Sequence, residues 1–350
     1  MNRDAIIGCI LGTAVGDALG LPYEGVSAQR APRLLGPPDR HRFVFGRGMI
    51  SDDTEHTCMV AQSLIEAGGD VEFFTKRFAS RLRWWILALP AGVGKATARS
   101  GIKLWLGAKP ARAGVFSAGN GPAMRAAIFG AAFDDAAVML EMVRASSRLT
   151  HTDPKAEYGA IAVALAALHS RKYETIEPKL WRGQVVEAVG EDGAELTNLL
   201  RDAVESAGVG NSTKVFAESL GLSKGVTGYT YHTVPVAIHA WLSHQRDFRE
   251  AITTIIECGG DADTTAAIVG GIVGAGVGQS GIPEQWLDGI TEYPRSVRWM
   301  KHLGETLADS MHGSAPLNAP SINPVAVLLR NLCFLAIVLF HGFRRLAPPY

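Results

Sequence analysis

The sequence is poor in cysteine, in excess charge and in strand signals. Its four cysteines stand far apart, at Cys9, Cys58, Cys258 and Cys333, with no CxxC pair. That pattern excludes a disulfide framework and a cysteine zinc knuckle, and makes a reducing cytoplasm the expected compartment. Lysine plus arginine number 34, as do aspartate plus glutamate, so the formal net charge is zero. No general basic surface follows, and sequence-specific nucleic-acid binding is not expected. Period-two alternation is scarce, while Ala, Leu and Gly recur at helical spacing, so an all-α fold is expected. Long apolar runs are missing too. Ile6 to Val15 is flanked by Asp4 and Asp17 and leads to no convincing small-residue cleavage site, unlike a signal peptide. Leu332 to Phe340 is bounded by Arg330, Asn331 and His341. It falls well short of the ~18–20 residues of a membrane span. The tail is expected to dock on protein rather than enter a membrane.

What remains is ample material for a core: 350 residues, 47% of them hydrophobic and 19% charged. Gly8, Gly12, Gly16 and Gly20 recur every four residues and form one smooth stripe on a helix. Each interior glycine costs about 1 kcal/mol relative to alanine. The stripe therefore makes sense only if another backbone or a ligand comes close. Asp17 lies beside it, and Glu24 follows the break at Pro22.

Two acidic clusters stand out. Ser51-Asp52-Asp53-Thr54-Glu55 opens a helix, with Asp52 and Glu55 at capping-box spacing. Gly259-Gly260-Asp261-Ala262-Asp263-Thr264 opens another, followed by small and β-branched residues through Ala275. Capping explains one acid per cluster, not all of them. Like charges so close disfavour one another unless a cation offsets them. Oxygen-only ligands favour Mg²⁺, Mn²⁺ or Ca²⁺ over Zn²⁺. Periodicity alone does not bring the clusters together. Between them, Ser117-Ala118-Gly119-Asn120-Gly121-Pro122 is a polar loop before a helix, suited to an anion or simply a turn. Thr150-His151 precedes the cap Asp153. Tyr229 and Tyr231 suit a pocket wall or the core equally.

In this order, Gly16-Asp17-Ala18-Leu19-Gly20 with Glu24, Ser51 to Thr54, Ser117 to Met124, Thr150-His151 and Gly259 to Thr264 resemble the ADP-ribosylglycohydrolases. The resemblance covers roughly residues 5 to 300. It implies one compact orthogonal helical domain over residues 1–310 with a central dinuclear metal cleft. A linker at 311–324 and an apolar helical tail at 325–350 would follow. Two Mg²⁺ or Mn²⁺ ions are implied, with Ser51, Asp52, Asp53, Asp261, Asp263 and Thr264 at ligand positions. Ser51 stands where family members commonly have Thr, and the hydroxyl is retained. Ser117, Gly119, Asn120 and Gly121 match the loop that holds diphosphate and ribose, and His151 matches a substrate contact. Ala118 replaces a bulkier residue. The implied reaction removes ADP-ribose from a modified protein or small molecule at C1 of the distal ribose. Asp53, Glu24 and Asp263 are the implied catalytic acids. A non-catalytic ADP-ribose binder and a hydrolase of another small N-glycoside remain as alternatives.

Overall fold

Four glycines one turn apart let two helices touch along their backbones. The N-terminal helix Arg3–Gly20 lies against Ala262–Val277. A Cβ on Gly8, Gly12, Gly16 or Gly20 would sit 2.2, 2.2, 2.0 and 2.4 Å from the carbonyl oxygens of Gly274, Gly270, Ala266 and Ala262. The partner stripe is reciprocal, because a Cβ on Gly270 would meet the Gly12 carbonyl at 2.1 Å. The close approach expected from the sequence is therefore made by backbone. Gly16→Ala is expected to lower stability by about 3 kcal/mol, at the high end of overpacking costs, because no flexible atom can yield. A urea unfolding midpoint checks this.

The computed structural model describes residues 3–312 and 317–344. Around the glycine pair the chain wraps almost only helices. Asp52–Ala67 packs on the N-terminal helix, on Val71–Leu87 and on Val297–His312. The alanine-rich helix Pro154–Lys172 lies against Ala262–Val277 and against Ala127–Ala132, where Gly130 admits the Ala164 carbonyl. The protein is thus a single all-α domain. Among the described residues the strands are only Val26–Ser27 and Gly259–Gly260, paired antiparallel. Trp85 is buried as expected of a core residue, but its neighbour Trp84 is 60% exposed.

The tail is one helix, Pro324–Arg344, which extends well beyond the nine-residue apolar run Leu332 to Phe340. By length and composition alone, Pro324–Phe343 is long enough to cross a membrane. The stretch Arg3–Tyr23 passes the same test and is wholly buried in the domain. Arg330, Asn331 and His341, which bound the apolar run in sequence, all lie on the inner face of the tail helix. His341 stacks on Phe43 with ring centroids 4.7 Å apart, and Phe334 packs beside it. The outer face exposes Leu329, Leu332, Leu339, Phe340 and Phe343. Gly313–Pro316 of the expected linker and the end from Arg345 to Tyr350 lie outside the described residues.

Candidate active site

Gly259 and Gly260 turn the chain into the second acidic cluster with φ of +68° and +80°. No other residue fits at 260, since a Cβ there would meet the Val226 carbonyl oxygen at 2.0 Å. The amide of Gly25 donates to the Gly260 carbonyl at 2.7 Å, which brings Glu24 to the same place. Asp261 takes the N-cap position of Ala262–Val277, yet its side chain makes no capping bond. It accepts instead from Asn120 Nδ2 at 2.7 Å.

The first cluster is organised by Asp17. This buried carboxylate accepts from the Ser51 amide at 2.8 Å, the Thr54 amide at 3.2 Å and the Thr54 hydroxyl at 2.5 Å. It thereby satisfies free N–H groups at the start of helix Asp52–Ala67. The cap itself is Ser51, whose Oγ accepts from the Asp53 amide at 3.3 Å and donates to Asp53 Oδ2 at 3.0 Å. This overturns the capping-box reading of Asp52 and Glu55. Glu55 turns away from the cap and accepts from Trp85 Nε1 and Arg295 Nη1, each at 2.5 Å. A guanidinium and an indole are stronger partners for a buried carboxylate than one exposed-end amide.

The clusters meet. Thr264 Oγ1 donates to Asp53 Oδ2 at 3.3 Å, across 211 positions of sequence. Asp52, Asp261, Asp263, Thr264 and Glu24 all line one polar cleft of about 550 Å³. Burial raises the carboxyls of Asp52, Asp53 and Asp263 well above the usual range, and neighbouring carboxylates raise them further. For Asp263 those neighbours are Glu24, Asp261, Asp53 and Asp17. Burial also raises Asp261, and pushes Asp17 up to about 6 against the pull of its hydrogen bonds. Asp53 Oδ1 and Asp263 Oδ1 are buried with no hydrogen-bond partner. An orphaned carboxylate oxygen in such a place fits a cation ligand, and hydroxyl-plus-carboxylate donors fit a hard one. Among the described residues, no three His, Cys, Asp or Glu side chains already close around one point.

The far wall is the loop 117–121. Its Gly119 faces His151, with a virtual Cβ 3.2 Å from Nε2, and a Cβ on Gly121 would meet the ring Cε1 at 2.9 Å. Behind the histidine stands the buried Arg125. Its Nη2 donates to Thr150 Oγ1 at 2.7 Å, and Thr150 Oγ1 lies 2.8 Å from His151 Nδ1. The Thr150 proton has two acceptors in reach, Nδ1 at 2.8 Å and the Ser147 carbonyl at 3.5 Å; the second is too long for a good hydrogen bond, which assigns the proton to Nδ1. His151 therefore carries its own proton on Nε2, facing the cleft. Burial, then Arg125, lowers its pKa to about 3, so the ring is neutral. A neutral Nε2–H can donate to a substrate oxygen but does not serve as a neutral-pH acid. The ¹⁵N shifts of His151 are expected to report the Nε2–H tautomer without titrating between about pH 5 and 8. Thr150→Val is expected to release the tautomer.

The structure thus places Glu24, Ser117, Gly119, Asn120, Gly121, His151, Asp52, Asp261, Asp263 and Thr264 around one cleft, with Asp53 and Ser51 buried just behind it, joined through Thr264. Three contributors were not singled out from the sequence. Asp17 stands in the sequence beside the glycine stripe and within the first motif of the resemblance, with no role of its own. The wall is formed by Val226, Thr227 and Gly228, and neither Tyr229 nor Tyr231 lines it. Lys95 and Thr97, at the start of helix Lys95–Trp105, also line the cleft. Their only signal is the Gly92-Val93-Gly94 turn before them.

Fold and site together define an all-α protein with a polar cleft ringed by acids from two helix starts. The chain belongs to the ADP-ribosylglycohydrolase family, whose model matches residues 1–316. It is 33% identical over 294 residues to an uncharacterized protein of Archaeoglobus fulgidus, covering 81% of this chain and 90% of that one. It is 29% identical over 298 residues to the ADP-ribosyl-[dinitrogen reductase] glycohydrolase of Rhodospirillum rubrum, with the same coverages. Over 341 residues it is 27% identical to ADP-ribosylhydrolase ARH3 of Gallus gallus, covering 85% and 92%. A solved "ADP-ribosylglycohydrolase-related protein complex" superposes with a TM-score of 0.61 at 25% identity, covering 88% of this chain and 98% of that one.

Proposed function

We propose that the protein is a metal-dependent hydrolase that releases ADP-ribose from a modified protein or small molecule. The bond cleaved is the glycosidic bond at C1 of the distal ribose. The observation that carries this reading is the Asp53–Thr264 contact, which joins two acidic helix starts around orphaned carboxylate oxygens. Ser51, Asp52, Asp53, Asp261, Asp263 and Thr264 would hold two Mg²⁺ or Mn²⁺ ions. When bound, such ions polarise the ribose hydroxyls and lower the pKa of a water at the cleft.

The chain's own residues do the rest. The backbone of 117–121 and the exposed Lys95 face the cleft where a diphosphate would lie. Asn120 stays fixed by Asp261 and by Thr233 Oγ1 at 3.0 Å, so the loop and the acids move as one unit. His151 offers a neutral donor to a substrate oxygen. Glu24, at the half-buried rim, and Asp53, inside, are the candidates to take a proton from water. As the bond from C1 to the acceptor breaks, water adds to C1 through an oxocarbenium-like transition state, and its proton passes to one of these two carboxylates and on to the departing acceptor atom. Carboxylates on the cleft floor stabilise that positive charge.

The test is a panel of ADP-ribosylated arginine, serine, nucleic-acid phosphate and small-metabolite substrates, with Mg²⁺, Mn²⁺ or chelator. Release of ADP-ribose from one class, lost with chelator and restored by either metal, is expected. Calorimetric binding of ADP-ribose with turnover of none of them would favour a binding role instead.

A further inference from the structure

Arg330 lies beyond the residues matched by the family, yet it grips the backbone immediately before the first acidic cluster. Its Nη2 donates to the carbonyl of Ile50 at 2.5 Å. The same guanidinium forks onto Glu292, with Nε to Oε1 at 2.8 Å and Nη2 to Oε2 at 2.7 Å. Glu292 Oε2 in turn accepts from the Ile50 amide at 3.3 Å. Both backbone polar groups of Ile50, a fully buried residue, are thus satisfied through one arginine–glutamate pair. The next residue is Ser51, whose amide Asp17 holds from the N-terminal helix. Two successive peptide units are pinned from opposite directions just before Asp52 and Asp53.

The pair also fits electrostatically. Arg330 Nη1 stands 3.9 Å from Glu55 Oε1, which Arg295 already holds. Glu55 and Glu292 face Arg295 and Arg330, two acids against two guanidiniums. The quartet adds no net charge behind the carboxylates of the cleft. Asn331, beside Arg330, anchors the same turn of helix to the Ala88 carbonyl at 2.8 Å.

We propose that the C-terminal helix completes the acid-lined site, with Arg330 as the positioning residue that fixes Ser51, Asp52 and Asp53. The inference rests on the metal-assisted reading for its effect on cation affinity, but not for the clamp itself. A planar fork is required, because a lysine ammonium does not bridge the Ile50 carbonyl and both Glu292 oxygens in one geometry.

The test uses the full-length protein and Arg330→Lys, which keeps the charge and removes the fork. Val327→Ala serves as the control. It loosens the packing of the same helix, and Val327 makes no hydrogen bond to Ile50 or Glu292. Hydrogen exchange of residues 48–54 is followed in metal-free protein, and Mn²⁺ affinity by the electron paramagnetic resonance of free ion. Arg330→Lys is expected to speed exchange in that segment and to weaken Mn²⁺ binding about tenfold or more, as removal of outer-shell partners does. Val327→Ala, compared at equal loss of melting temperature, is expected to change neither. Unchanged exchange in Arg330→Lys, or equal changes in Val327→Ala, would overturn the proposal. If the wild type binds no Mn²⁺, the metal reading falls, and the exchange measurement alone decides the clamp.

Discussion

Asp263→Asn is expected to raise the melting temperature of the metal-free protein at pH 8 while abolishing hydrolysis. The two effects share one cause. Asp263 is buried, its Oδ1 has no partner, and four other acids press on it. A neutral amide of the same shape removes that repulsion. It also removes an anionic ligand, and several kcal/mol of lost cation assistance corresponds to a rate loss of about 10³-fold or more. Differential scanning fluorimetry and turnover on the active substrate check both arms. Asp53→Asn should follow the same pattern with a smaller stability gain, because Ser51 and Thr264 already donate to its Oδ2. A variant that loses stability and keeps full activity would sink the cation reading.

Metal-free protein is expected to lose stability as pH rises above the ordinary carboxylate range, and Mg²⁺ or Mn²⁺ should abolish the loss. The sign follows from linkage. Asp17, Asp52, Asp53, Asp261 and Asp263 all have folded pKa values above their unfolded ones. Their contribution is fully present below about pH 4 and is lost as pH rises through the folded values. The buried histidines His56, His151 and His239 are shifted the other way, downward. Their stability is present above about pH 6.5 and is lost as pH falls. Well above that pH they are neutral in both states, but the thiols of Cys9, Cys58 and Cys258, raised by burial, add a slope of the carboxylates' sign towards about pH 8.5, so the part of the slope that metal removes is what reports the carboxylates. A metal at 100 times its Kd adds about 2.7 kcal/mol, roughly 4 °C for a chain of this length. Melting curves against pH, with chelator and with each ion, give the comparison. A slope that Mg²⁺ and Mn²⁺ both leave unchanged would contradict the charged cluster.

Parts of this arrangement are legible in the sequence for definite reasons. The glycine stripe is visible because helix geometry converts a four-residue spacing into a face. The acidic clusters are visible because Asp52, Asp53, Asp261 and Asp263 exceed what capping can use. Local chemistry also identifies Asp153, which accepts from the Lys155 amide at a helix start. The rest is hidden by distance along the chain. Glu55 looked like a capping partner because its true partners, Trp85 and Arg295, lie 30 and 240 positions away. Arg330 and Asn331 read as ends of an apolar segment because their partners come from Ile50, Glu292 and Ala88. The wall at Val226 to Gly228 is placed by backbone hydrogen bonds to Gly259, Asp261 and Asn120, which a side-chain pattern does not report. Asp17 shows no local anomaly, since one acid on a helix is ordinary until its burial is known.

The backbone contact between the first helix and Ala262–Val277 has a practical meaning for anyone reshaping this cleft. Gly20, the last tooth of that contact, would place a Cβ 2.6 Å from the Cα of Asp263. The spacing of the acids is therefore gauged by main chain against main chain, and not by side chains whose rotamers drift when neighbours change. Rim positions such as Gly92 and Lys95 can be varied to seek a new acceptor without resetting that gauge, whereas Val226 cannot, since its carbonyl accepts from the Asp261 amide at 2.8 Å. The eight or so small residues along the contact are the fixed datum, and a substitution library should leave them untouched.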